Sequence, residues 1–192
     1  ALFIILTTVL AQILGIVKYR LLVSFFGASN DLGVFFAAFK IPDFLFQIVI
    51  AGALSASFIP IFSDFLSKGK EEEAFSFTSS IINLSLIVYF FLSIIIFIFS
   101  YQFASLIAPG FSPEELKLMS NLMRIIQLAQ VFFVLGTIIT ALLQSFQHFF
   151  IPGIASAFYN LGIIIGVILL AHNFGIYGAT VGVVIGAIFF CV

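Results

Sequence analysis

From Phe26 to Pro60 the chain reads FGASNDLGVFFAAFKIPDFLFQIVIAGALSASFIP, apolar enough to lie in a bilayer. Yet it is interrupted by Asp31, Lys40, Pro42, Asp43, Gly52 and Pro60. In hydrocarbon every backbone polar group needs an internal partner, and each charge is costly. A segment that only had to cross lipid would have no use for these residues. They mark helix joints or the wall of a pathway.

The rest of the chain has the same character. Of its 192 residues 63% are apolar and only 8% are charged, and mean hydropathy is +1.33. A soluble domain of ordinary composition is about a quarter charged. The chain therefore reads as an integral membrane protein. A net charge of −1 leaves no basic face for nucleic acid. The single cysteine, Cys191, excludes an internal disulfide and a cysteine-based metal cluster. With no Trp, the aromatic belts at the membrane surfaces fall to Tyr and Phe.

About 20 apolar residues cross a bilayer as a helix. On that measure the fold class is all-α, a polytopic transmembrane bundle of six helices, at about 2–26, 32–64, 74–107, 114–147, 153–172 and 176–192. The turn Gly27 to Asp31 closes the first. The second is too long for one straight span; Pro42, which cannot donate back to Ala38, predicts a kink, and Gly52 and Pro60 allow another bend. Ser112 with Glu115 three residues on predicts a capped start to the fourth. Ile151-Pro152-Gly153 separates the fourth from the fifth. Gly162 and Gly166, then Gly178, Gly182 and Gly186, form small-residue stripes suited to close helix packing. The first 17 residues could pass for a signal core, but Lys18 and Arg20 interrupt it, so a retained helix is expected. The absence of Met at position 1 and the apolar run to Val192 read as cut ends.

Short connections make successive helices antiparallel neighbours. Lys68 and Lys70 lie in the loop after the second helix, against Lys117 alone after the third. The positive-inside rule then puts the 67–73 loop and the N-terminus in the cytoplasm.

The charges within the spans are the candidate functional residues. Lys18 and Arg20 lie about 200° apart around their helix. Arg20 is placed to snorkel to the interface. Lys18 shares a face with Ala11, Leu14, Gly15 and Leu22, which suits a helix contact or a cavity. Lys40 and Asp43 are spaced to pair on one helix face, as an ion pair at a bend or as the rim of a cavity. Arg124 can reach the interface or a cavity. Asn83, Gln127, Gln130 and Asn160 are expected to hydrogen-bond between helices. No nucleophile–base motif, phosphate loop or paired intramembrane carboxylate appears, so an enzyme reading is weak.

The strings LGIVKYRLLVSFFGAS, FFAAFKIPDFL and GALSASFIPIF resemble the N-terminal signature of the MurJ (MviN) lipid II flippases, in the multidrug/oligosaccharidyl-lipid/polysaccharide exporter superfamily. The likeness continues in IAPGF at 107–111, LLQSFQHFFIPGIASAFYN at 142–160 and GIYGATVGVVIGA at 175–187. It covers nearly the whole chain in order.

The resemblance implies one six-helix N-terminal lobe of a two-lobed flippase, with the C-terminal lobe absent from this chain. It implies movement of undecaprenyl-diphosphate-linked peptidoglycan precursor (lipid II) across the bacterial cytoplasmic membrane by alternating access, for cell wall synthesis. A cationic cavity would meet the diphosphate, and membrane lipid would flank the tail. Carried over by position, Lys18 is the leading substrate-binding candidate, helped by Lys40 and Arg124. Gln12 stands where the family commonly has a second arginine on the first helix. Gly33 and Ala51 replace usual acids, and Phe46 replaces an often basic residue. No cofactor is implied; the driving force, a coupling ion or the membrane potential, stays open. Two other readings stand beside this one: an exporter of another lipid-linked oligosaccharide or a small molecule, and a truncated membrane scaffold that transports nothing.

Overall fold

The computed structural model describes residues 2–54, 58–146, 148 and 150–191, with side chains from Ile5 onward. The described residues form nine α-helices: α1 (Leu2–Phe26), α2 (Asn30–Ala38), α3 (Lys40–Ala53), α4 (Phe58–Ser67), α5 (Glu71–Ile98), α6 (Ser100–Ile107), α7 (Pro113–Ser145), α8 (Phe150–Phe174) and α9 (Ile176–Cys191). No strand occurs among them. Five stretches are long and apolar enough to cross a membrane: Ile5–Phe26, Asn30–Ser67, Glu71–Ile98, Pro113–Ser145 and Phe150–Phe174. The sixth expected span corresponds to the apolar helix α9, with 16 described residues. The chain is a multi-pass membrane protein, and many Ile, Leu and Phe side chains are exposed on its surface, as contact with lipid tolerates.

The joints follow local chemistry. α1 ends at Gly27, whose φ of +63° is open to a residue without a Cβ. Ser29 caps α2 by accepting from the Leu32 N–H. Pro42 has no N–H for the Ala38 carbonyl, and the helix breaks just there: α2 closes at Ala38 and α3 opens after Phe39. α3 ends at Ala53 with Leu54 as the cap, and α4 starts at Phe58; the expected bend between them falls on Ser55, Ala56 and Ser57, which lie outside the described residues. Ser112 and Glu115 form the reciprocal capping box at the start of α7, the Ser112 N–H donating to Glu115 Oε2 over 2.7 Å. α8 starts before the Ile151-Pro152-Gly153 motif, which lies in its first turn, where a proline costs little because its N–H is not needed.

One break carries no sequence mark. α5 and α6 part at Phe99 without a proline or glycine. Arg124 on α7 supports this joint. Its Nε donates to the Phe97 carbonyl over 3.2 Å, and its guanidinium lies 5.2 Å from the centre of the Phe97 ring. A carbonyl at a helix break needs such a donor in lipid.

α7 is the central post. It buries Met119, Leu122, Met123, Ile126, Val134 and Ile138 and packs against α2, α3, α5, α6 and α9. α8 and α9 form the tightest pair. A Cβ on Gly162 would overlap the Gly186 backbone, and one on Gly166 would overlap Gly182. Without a hydrophobic drive between helices in lipid, such backbone approach supplies the dispersion energy that holds them together. α1 packs along α8 and touches α2.

Candidate functional site

The seam between α1 and α8 fixes Lys18, which is half-buried, whereas Lys40, Lys68, Lys70 and Lys117 are exposed. Ala11, Gly15 and Lys18 fall on one stripe of α1 at spacings of four and three. Asn160 on α8 donates Nδ2 to the Ala11 carbonyl over 3.0 Å. Gly15 lies beside that amide; a Cβ there would sit in ordinary contact, 3.7 Å from Asn160 Nδ2. Lys18 follows one turn later and faces a cavity of about 300 Å³. Tyr19 and Leu22 of α1, Phe35 and Phe36 of α2, Phe39, Asp43 of α3, and Tyr159 and Ile163 of α8 complete the lining.

Lys18 Nζ lies 4.5 Å from the centre of the Tyr19 ring and 5.5 Å from that of Tyr159. Ring faces attract a cation by their quadrupole, so these tyrosines offset part of the desolvation of the ammonium. Among the described residues Lys18 makes no ion pair. Asp43 enters the same cavity because of the break at Phe39, which starts α3 afresh. Its Oδ1 accepts a hydrogen bond of 2.6 Å from Gln130 Nε2 on α7. Tyr89 on α5 lies near enough to feel the Asp43 charge, and its hydroxyl donates to the Gln127 carbonyl over 2.9 Å. The lining thus presents one ammonium and one carboxylate amid five aromatic rings.

The structure separates the other expected site residues from this cavity. Lys40 is exposed at the start of α3 and does not pair with Asp43, whose carboxylate turns to α7 and Gln130 instead. Arg124 serves the α5–α6 joint. Gln12 is exposed on α1, outside the lining. Of the other polar residues, Gln130 and Asn160 bond between helices. Asn83 is exposed, and the buried Gln127 side chain has no partner among the described residues. Tyr19, Tyr159 and Gln130 are site residues that spacing alone did not single out. A larger groove of about 720 Å³ between α7, α8 and α9 has no charged residue in its lining.

Comparison with known proteins covers most of the chain. A family model described as "Lipid II flippase MurJ" matches residues 22–192. A protein of Buchnera aphidicola subsp. Schizaphis graminum, described as "Probable lipid II flippase MurJ", is 36% identical over 160 residues, 82% of this chain and 31% of that protein. The "Lipid II flippase MurJ" of Thermosipho africanus is 33% identical over 186 residues, 94% of this chain and 37% of the relative. A solved structure titled "Lipid II flippase MurJ, inward closed conformation" superposes with a TM-score of 0.84 at 30% identity. The match takes in 100% of this chain and 40% of that one. The chain thus spans about a third of the length of these relatives.

Proposed function

Since the chain belongs to the lipid II flippase MurJ family, we propose that it is the N-terminal lobe of a flippase. The flippase carries lipid-linked peptidoglycan precursor across the bacterial cytoplasmic membrane by alternating access. The observation that carries this reading is Lys18. A half-buried ammonium within a membrane span, facing a cavity and making no ion pair among the described residues, is a cost that a purely structural helix would shed. A diphosphate is the ligand that repays it, through charge-assisted hydrogen bonds of about 1.5–3 kcal/mol each. The aromatic walls and Asp43 suit the sugar and peptide groups joined to that diphosphate, because a carboxylate accepts from hydroxyl and amide donors.

In this proposal α1, α2, α3 and α8 line this lobe's share of the cavity, and a second lobe supplies the opposite wall. The loop of Lys68 and Lys70 faces the cytoplasm. The test is complementation. A bacterium depleted of its own flippase receives the gene in its natural length. Growth with normal cell shape supports the proposal; lysis despite full membrane insertion contradicts it.

A further inference from the structure

Lys18 and Asp43 share one cavity but do not join. Both line the cavity, and each is held by partners of its own rather than by the other. The restraint is visible on the carboxylate side. Gln130 reaches from the central helix α7 and donates its 2.6 Å hydrogen bond to Asp43 Oδ1. Its amide carries no charge, so it fixes the carboxylate without neutralising it. On the other side the Tyr19 and Tyr159 rings hold the ammonium. The groups around Asp43 are therefore Lys18 and Tyr19 from α1, Tyr159 from α8, Tyr89 from α5 and Gln130 from α7.

We propose that Gln130 is a positioning residue that keeps Asp43 from quenching Lys18, so that the cavity offers a separated cation and anion. Such a site selects a head group with the same polarity: a phosphate for Lys18 and, beside it, hydroxyl, amide or ammonium donors for Asp43. A bare lipid diphosphate satisfies only the first half and is repelled by the second. Asp43 is thereby the specificity-determining residue of the site, and Gln130 acts through it. This rests on the flippase reading above and assigns the selectivity of the same cavity.

The test uses the natural-length protein in nanodiscs, with binding of undecaprenyl diphosphate and of lipid II measured side by side. Gln130→Leu frees Asp43 to pair with Lys18, and both lipids bind roughly fivefold or more weakly. Adding Asp43→Asn to Gln130→Leu removes the quenching charge, and undecaprenyl diphosphate returns to within about twofold of the unmutated protein, the coupling a double-mutant cycle detects. Asp43→Asn alone tightens undecaprenyl diphosphate and narrows the preference for lipid II by about tenfold. A merely structural Gln130 would show no rescue. The proposal is overturned if the double variant binds no better than Gln130→Leu, or if Asp43→Asn leaves the preference between the two lipids unchanged. Folded, unmutated protein that binds neither lipid would refute the flippase reading itself, and this inference with it.

Discussion

The Lys18 ammonium on α1 sits 5.5 Å from the centre of the Tyr159 ring on α8. That contact joins two helices that are 141 positions apart in sequence at these residues, and it sets where a ligand's negative charge can be met. A cation–π contact in such a setting is worth about 0.5–2 kcal/mol. Tyr159→Leu should therefore weaken lipid II binding by about twofold to thirtyfold. Tyr159→Phe keeps the ring face and should stay close to the unmutated affinity. Titration of each variant in nanodiscs checks the difference between them.

The α8–α9 seam is the most sensitive packing contact. Gly182 lies so near that a Cβ on it would come within 3.0 Å of Gly166 Cα and 3.1 Å of the Gly162 carbonyl oxygen. Gly166→Leu or Gly182→Leu should destabilise the bundle by about 1–3 kcal/mol or more, because neither backbone can yield. The check is the thermal unfolding midpoint in detergent. Gly52→Ala, at a site with nothing within reach of a new Cβ, is the control and should unfold close to the unmutated protein.

Arg124 serves the helix joint, and its loss should be felt in stability. Arg124→Leu removes a charged donor from the Phe97 carbonyl, a bond worth about 1.5–3 kcal/mol. The unfolding midpoint should fall while the affinity of the folded protein for lipid II holds. An affinity loss of tenfold with unchanged stability would put Arg124 in the substrate path.

The orientation is testable by labelling. In a background with Cys191 and every other cysteine replaced, Lys70→Cys should be blocked by a membrane-impermeant maleimide only after the cytoplasmic face is opened. Labelling in intact cells would invert the topology.

Much of the fold is legible in the residues. Pro42 explains the break at Phe39, Gly27 the end of α1 and Ser112 the start of α7, because each acts on its own turn of backbone. The spacing of Gly162, Gly166, Gly178, Gly182 and Gly186 announces the tight pair. The break at Phe99 is not legible, because its support comes from Arg124, 25 positions on, and not from its own residues. The site is legible only in part. Lys18 stands out as an intramembrane charge that shares a helix face with Gly15. Asp43 is legible as a candidate cavity rim, but its partner is not: it meets Gln130 across 87 positions, a contact that local spacing cannot encode. The same local rule pairs Lys40 with Asp43, and tertiary packing overrides it by turning the carboxylate toward α7.

The central claim is that Lys18 is the cation this lobe offers to the diphosphate. The most direct measurement is lipid II binding to the natural-length protein and its Lys18→Ala and Lys18→Arg variants, with insertion and folding verified for each. Loss of one charge-assisted contact should weaken Lys18→Ala by about tenfold to a hundredfold, with Lys18→Arg recovering most of it. Lys18→Ala protein that binds lipid II as tightly as the unmutated protein would contradict the account.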